Sequence, residues 1–180
     1  MNIVVLGAGI SGCACAHQLA IAGHQVTVVE KGKGVGGRMA TRRMNGARID
    51  HGAQFFTTRD PSIQKLNKKW LKGGQTMEWY DKIPGRPDLP SDMRYRGKMG
   101  MTGPAKSLTQ NCSLALNFFV EKLEQSSCWK VLERGGAGRV LCADHLIITI
   151  PSVQMLDLFD RSKIVLDSVT MSRLQAIRHT

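Results

Sequence analysis

The hydrophobic pattern of the first thirty residues changes period twice. Ile3 to Leu6 is an unbroken apolar run closed by glycine, which predicts a strand buried on both faces in a parallel sheet. Ser11 to Ala22 mixes small and apolar residues and predicts a helix pressed closely on that sheet, with Gly23 standing where a helix C′ glycine belongs. Gln25 to Glu30, reading QVTVVE, predicts the second strand, so the chain opens with a βαβ unit. Lys31 to Gly37 is glycine-rich and reads as a loop, and Ala47 to Asp50 as a short strand leading into His51-Gly52-Ala53-Gln54-Phe55-Phe56. Asp60-Pro61-Ser62 predicts the start of a helix, because Asp, Ser and Pro favour that position.

Ile83 to Gly103, rich in proline and glycine, reads mostly as loop and turn. Leu114 to Leu123 is strand-like. Trp129 to Glu133 and Arg139 to Cys142 flank Arg134-Gly135-Gly136-Ala137-Gly138 in the pattern of a hairpin. His145 to Ile150 predicts a further buried strand stopped by Pro151. Ser152 then reads as the N-cap of a helix through Phe159, and Ser168 to His179 as a last helix.

Composition narrows the functional classes. The 180 residues are 42% hydrophobic and 22% charged, ordinary for a globular domain with a real core. A formal net charge of +11 would attract an anionic partner. Apart from the amphipathic stretch Lys65 to Lys72, however, the basic residues are scattered and no nucleic-acid motif accompanies them, so no nucleic-acid partner is expected. Cysteines 13, 15, 112, 128 and 142 lack CxxC spacing, which indicates neither a disulfide framework nor a zinc site. Cys13 and Cys15 on the first helix read as small packing residues rather than redox groups. The apolar run after Met1-Asn2 carries no cationic leader and no later run is long enough to span a bilayer, so a cytoplasmic protein without a membrane partner is expected.

Gly7-Ala8-Gly9-Ile10-Ser11-Gly12 is a GxGxxG sequence between a predicted strand and a predicted helix. The first glycine makes the tight turn, the second lets a pyrophosphate approach, and the third permits close helix-strand packing, while Ile10 and Ser11 carry first-turn N–H groups. Glu30, ending the second strand, is placed to accept hydrogen bonds from an adenosine ribose, and its charge disfavours a 2′-phosphate there. The fold class expected is therefore α/β, with a Rossmann-like FAD- or NAD(P)-binding domain. Lys31, Gly37, Arg38 and Met39 extend the candidate cradle. A glycine pair lets backbone pass close to a ligand, and Arg38 could neutralise pyrophosphate or be a plain surface arginine.

The stretch Val5 to Arg38, with Glu30 and Gly36-Gly37-Arg38, resembles the glutathione-reductase-like flavoproteins of the amine oxidase type, which have a three-layer fold. Together with Gly36 to Thr41, Asp50 to Thr57, Gly100-Met101 and Ile148 to Gln154, it is similar to the renalase-like branch of the flavin-containing amine oxidase superfamily. The resemblance implies FAD as cofactor and a small-molecule substrate, a reduced nicotinamide dinucleotide or an amine. It implies hydride transfer to flavin, with oxygen as acceptor giving hydrogen peroxide. Residues 50–57, with Gln54, and Gly100-Met101 would then lie near the flavin, and Val120 would offer backbone contacts to adenine. His51 and Gln54 read alternatively as a buried histidine and a turn cap, and Trp129, Phe118 and Phe119 as core.

On that resemblance residues 1–56 and 99–155 are the two parts of the FAD-binding domain, 57–98 a partial substrate-domain or cap segment, and 156–180 the start of a substrate domain. The Gly-Asp motif found in the C-terminal part of such proteins is not in this sequence. That predicts an incomplete fold, weak retention of FAD, and association of copies through exposed sheet. The alternative reading is a non-catalytic dinucleotide-binding module. An NAD-dependent dehydrogenase is disfavoured by the Gly-Gly-Arg segment.

Overall fold

The computed structural model describes residues 1–83, 85–88, 91–135 and 138–177. Its centre is a four-stranded parallel sheet in the order β11-β1-β2-β7, made of His145–Ile148 (β11), Asn2–Leu6 (β1), Gln25–Val29 (β2) and Ser113–Ala115 (β7). Ile3 pairs with Val26 on one side and His145 on the other. Alternation along β1 sends neighbouring side chains to opposite faces. Ile3 and Val5 join a cluster with Cys13 and Ala16 of the first helix (α1, Ile10–Ile21) and Ala105 and Leu108 of Thr102–Leu108 (α3). Val4 and Leu6 pack on the other face against Phe118, Leu123, Val131 and Leu158. Phe118 precedes, and Leu123 and Val131 belong to, an antiparallel sheet of Val120–Gln125 (β8), Trp129–Glu133 (β9) and Val140–Ala143 (β10), and Leu158 belongs to the helix α4, Ser152–Ser162. The result is three layers with the parallel sheet in the middle, as expected.

Close packing of α1 on the sheet explains the small residues of that helix. Cys13 is fully buried and its thiol donates to the Ala8 carbonyl at 3.3 Å. Burial, and secondarily the neighbouring Cys112 and Glu30, push the thiol from 9.0 up to about 12. The folded chain therefore holds this proton more tightly than the unfolded chain between those values. The stabilisation is complete below the unfolded pKa and is lost as pH rises through the folded one. The expected outcome is that iodoacetamide at mildly alkaline pH alkylates the exposed Cys142 and spares Cys13 in the folded protein. The denaturation midpoint should also fall between about pH 9 and 12, less steeply for Cys13→Ala. Prompt alkylation of native Cys13, mapped by mass spectrometry, would contradict this.

Several elements depart from the sequence expectation. Leu114 to Leu123 is not one strand: Asn117, with φ of 51°, turns the chain out of the parallel sheet after β7 and into the antiparallel one. Phe118 is consequently buried, whereas Phe119 is exposed beneath the Arg134 guanidinium at 4.1 Å. Trp129 is half-buried. Ile83 to Gly103 contains a strand, Arg94–Gly97 (β6), paired with Thr76–Tyr80 (β5); Pro84, Leu89 and Pro90 lie outside the described residues. A second hairpin joins Thr41–Met44 (β3) to Ala47–Asp50 (β4) through Asn45 and Gly46, both at positive φ. Asn-Gly is the dipeptide that such a turn demands.

The β9–β10 hairpin forms as expected, with Gly136 and Ala137 outside the described residues. HLIITI stops being strand at Ile148. Pro151, not Ser152, is the N-cap of α4, because Ser152 already adopts helical geometry. Asp60 caps α2 (Pro61–Lys72) by accepting from Ser62 and Ile63 N–H. Asp167 caps α5 (Ser168–Gln175), shorter than Ser168 to His179, and His179 lies outside the described residues. Among the described residues no helix is long and apolar enough to cross a membrane.

Candidate dinucleotide site

The turn from β1 into α1 is built by its glycines. Gly7, at φ of 100°, donates its N–H to Val29 O at 2.8 Å, which ties the turn to the end of β2. A methyl group at Gly12 would overlap the Gly7 carbonyl oxygen and come within 2.7 Å of Thr149 Oγ1. Gly9 is different: no atom lies within 4 Å of where its side chain would be. It is also the N-cap of α1, so it has no side chain to satisfy the first-turn N–H groups, and no acidic residue lies in that turn. Ser11 is exposed and Ile10 half-buried there. An open backbone surface ending in free N–H groups and a positive dipole end suits a phosphate.

Glu30 stands just past β2 and is half-buried. One carboxylate oxygen accepts from Ala8 N–H at 3.0 Å and the other from Gly32 N–H at 2.8 Å. The carboxylate thus shapes the phosphate turn as well as presenting its remaining lone pairs outward. Beside it, Phe118 N–H donates to the Glu30 carbonyl and Asn117 N–H to Gly32 O. Val120, half-buried at the start of β8, follows two residues later on the same side. Lys31 is exposed and its Nζ reaches Gln154 Oε1 at 3.3 Å rather than the turn.

The second glycine-rich segment docks on the first. Gly36 N–H donates to Ala8 O at 2.7 Å, and a side chain on Gly37 would sit 3.1 Å from Gly9 Cα. Gly36 has φ of 123°, a conformation that glycine alone adopts without strain, and Gly37 has φ of 53°, in the left-handed region. Gly37–Met39 forms a short 3₁₀ turn that leaves Arg38 exposed, with no ion pair among the described residues, and Met39 half-buried.

The Arg38 carbonyl accepts from Ala53 N–H at 2.9 Å, which brings residues 51–55 alongside. His51 and Gln54 are both exposed, so His51 is not a buried histidine. Thr41 Oγ1 donates to Asp50 Oδ1 at 2.5 Å, the same oxygen accepts from Met101 N–H at 3.0 Å, and Thr41 N–H donates to Thr102 Oγ1. This network holds Gly100, at φ of 101°, against Thr41. The Met101 side chain is wholly buried, with its sulfur accepting from Gly97 N–H, so only its backbone faces the site region.

Sequence reasoning assigned no role to Thr41, Thr102 or Thr149, and placed Asp50 only within the segment expected near the flavin. Thr149 donates its hydroxyl to Leu6 O and Gly7 O, fastening β11 to the glycine turn. The available signal was a lone hydroxyl in the apolar run HLIITI. A concavity of about 430 Å³ lined by Asn2, His24, Gln25 and Cys142 lies at the amino ends of β1 and β2. Ligands of open parallel sheets bind beyond the carboxyl ends, where the glycine turn lies.

Residues 5–70 match the family described as the NAD(P)-binding Rossmann-like domain. The first part of the chain has a Rossmann-like fold. Over 145 residues, 74% of this chain, it is 31% identical to an L-amino-acid oxidase of Sistrurus catenatus edwardsii. Over 60 residues it is 50% identical to a 4,4'-diapophytoene desaturase (4,4'-diaponeurosporene-forming) of Staphylococcus haemolyticus (strain JCSC1435). The chain spans 28% and 12% of the lengths of these relatives. Among solved structures, the PF1083 protein of Pyrococcus furiosus superposes over 100% of this chain and 66% of its own, with a TM-score of 0.71 and 15% identity. A putative protoporphyrinogen oxidase of Exiguobacterium sp. 255-15 covers 89% of this chain and 61% of its own, with a TM-score of 0.65 and 13% identity. The shared fold places the Rossmann-like domain's glycine turn and Glu30 at the carboxyl ends of its strands.

Proposed function

We propose that this chain is the dinucleotide-holding part of an FAD-dependent oxidoreductase of the renalase and amine oxidase type, acting on a reduced nicotinamide dinucleotide or an amine. The observation that carries the reading is the docking of Gly36-Gly37 on the open face of Gly9, with Arg38 exposed beside the free end of α1. A diphosphate laid there meets N–H donors, a helix dipole and one exposed cation, while Glu30 receives the adenosine ribose. Similarity to an oxidase and a desaturase supports FAD over a nicotinamide cofactor as the resident group.

A bound flavin would supply the redox chemistry, hydride acceptance from substrate with oxygen as the final acceptor giving hydrogen peroxide. This chain's residues bind and orient. Residues 50–57 and Gly100, beside the Thr41–Asp50–Met101 network, would flank the ring, and the N–H-rich turn would hold the diphosphate. In this reading residues 1–56 and 99–155 form the FAD-binding domain. Residues 57–98, with α2 and the β5–β6 hairpin, begin the substrate side, and 156–180 continue it.

The purified chain should show a flavin absorption spectrum, alone or after added FAD, and denaturation should release FAD identifiable by mass spectrometry. Bleaching of that spectrum under nitrogen by a reduced nicotinamide isomer or an amine would establish the catalytic reading. A chain that binds FAD but is bleached by neither is the non-catalytic module, and one that stays colourless with added FAD overturns the cofactor assignment.

A further inference from the structure

Two of the five free cysteines lie together, far from the glycine turn. In the antiparallel pairing of β9 with β10, Trp129 faces Ala143 and Lys130 faces Cys142. Continuing that register by one step puts Cys128 opposite Asp144, so Cys128 and Cys142 fall on the same face of the sheet as diagonal neighbours. Their side chains share a hydrogen bond. Cys142 is exposed and Cys128 is half-exposed, in contrast to the buried Cys13.

Cys128 ends the tight turn from β8 into β9, where its carbonyl accepts from Ser126 N–H. Diagonal neighbours sit about 7–8 Å apart, so closing a disulfide requires backbone movement, which here falls on the turn at Cys128, outside β9. The Cys128 thiol donates to the Cys142 sulfur, which holds it above its ordinary range. Cys142 pairs with Lys130 across the strands.

We propose that Cys128 and Cys142 form a peroxide-responsive dithiol site, which closes to a reversible disulfide across one end of the β9–β10 hairpin. The oxidant is a hydroperoxide. The Cys142 thiolate attacks the peroxide oxygen; with hydrogen peroxide and one proton this gives the sulfenic acid and a molecule of water. The Cys128 thiol then attacks the Cys142 sulfur and expels a second water, so two thiols lose two electrons and two protons and the peroxide is fully reduced. The bond joins residues on either side of the tip that Arg139 fastens to Glu133 and to the carbonyls of Leu116 and Asn117. It thereby clamps the hairpin at both ends.

The test treats the folded full-length chain, dilute enough to suppress cross-linking between molecules, with hydrogen peroxide, then blocks free thiols and digests with trypsin without reductant. The expected result is a chain about two mass units lighter, from the two hydrogens lost. Peptide 123–130 should be joined to peptide 140–161, the link should break with dithiothreitol, and the thermal midpoint should rise only for the oxidised form. Cys142→Ser should abolish the link and leave Cys128 alkylatable. Cys128→Ser should leave Cys142 as sulfenic or sulfinic acid, detectable by dimedone or by added oxygen mass. Oxidation of both cysteines without the 123–130 to 140–161 link would overturn the proposal, as would a link in which either cysteine pairs with 13, 15 or 112.

Discussion

Gly12→Val is expected to unfold the chain or destabilise it by about 3 kcal/mol, the upper range for forcing volume into a closed site. The reason is local and severe: the first side-chain carbon would overlap the Gly7 carbonyl oxygen and press on Thr149 Oγ1 at 2.7 Å. The obstacle is backbone, and that backbone is pinned by the Gly7 N–H bond to Val29 O and by the Thr149 hydroxyl. Relief would require α1 to lift from the sheet, separating Cys13 and Ala16 from Ile3 and Val5. Urea denaturation should show a lower midpoint at an unchanged slope. Gly9→Ala is the matched comparison. Nothing stands near that position and its φ of −68° suits any residue, so stability should hold while FAD affinity falls, because the methyl group fills the phosphate approach. Equal stability losses in the two variants would mean that the third glycine is not a packing residue.

Removing the Glu30 carboxylate should have the second-largest effect. Glu30→Ala deletes the acceptors for Ala8 N–H and Gly32 N–H together with the proposed ribose contact. A charge-assisted hydrogen bond contributes about 1.5 to 3 kcal/mol, so FAD affinity should fall about 10- to 100-fold. Flavin fluorescence quenching on titration reads this directly. Glu30→Gln should be intermediate. One amide oxygen can still accept from the turn, while the NH2 group faces an N–H donor where the carboxylate had an oxygen. Unchanged affinity in the alanine variant would remove Glu30 from the site.

The two variants act through residues of different visibility. Gly12 was readable because its requirement is written into a six-residue spacing bounded by a strand and a helix pattern. Half of Glu30's role was readable, since its place at the end of the second strand predicts a ribose contact. Its bonds to Ala8 and Gly32, which make it part of the turn, were not, because they depend on how the loop after β2 folds back. Lys31 reads as a neighbour of the cofactor but reaches Gln154. His51 reads equally as buried or as part of the site, and lies exposed because residues 51–55 run along the surface beside Arg38.

What the sequence by itself determined is whatever depends on near neighbours in the chain: the period of the apolar run in β1, the glycine spacing of the turn, the Asp60 cap of α2 and the hairpin of residues 129–143. Each is set by dihedral preferences and side-chain alternation over a few residues. Only the tertiary structure decided that Gly36-Gly37 rests on Ala8 and Gly9, and that Asp50 joins Thr41 to Met101. It also decided that the run from 114 to 123 is shared between two sheets. Those outcomes are fixed by which distant segments the packed layers bring within hydrogen-bond reach, and a local pattern of polar and apolar residues carries no record of that distance.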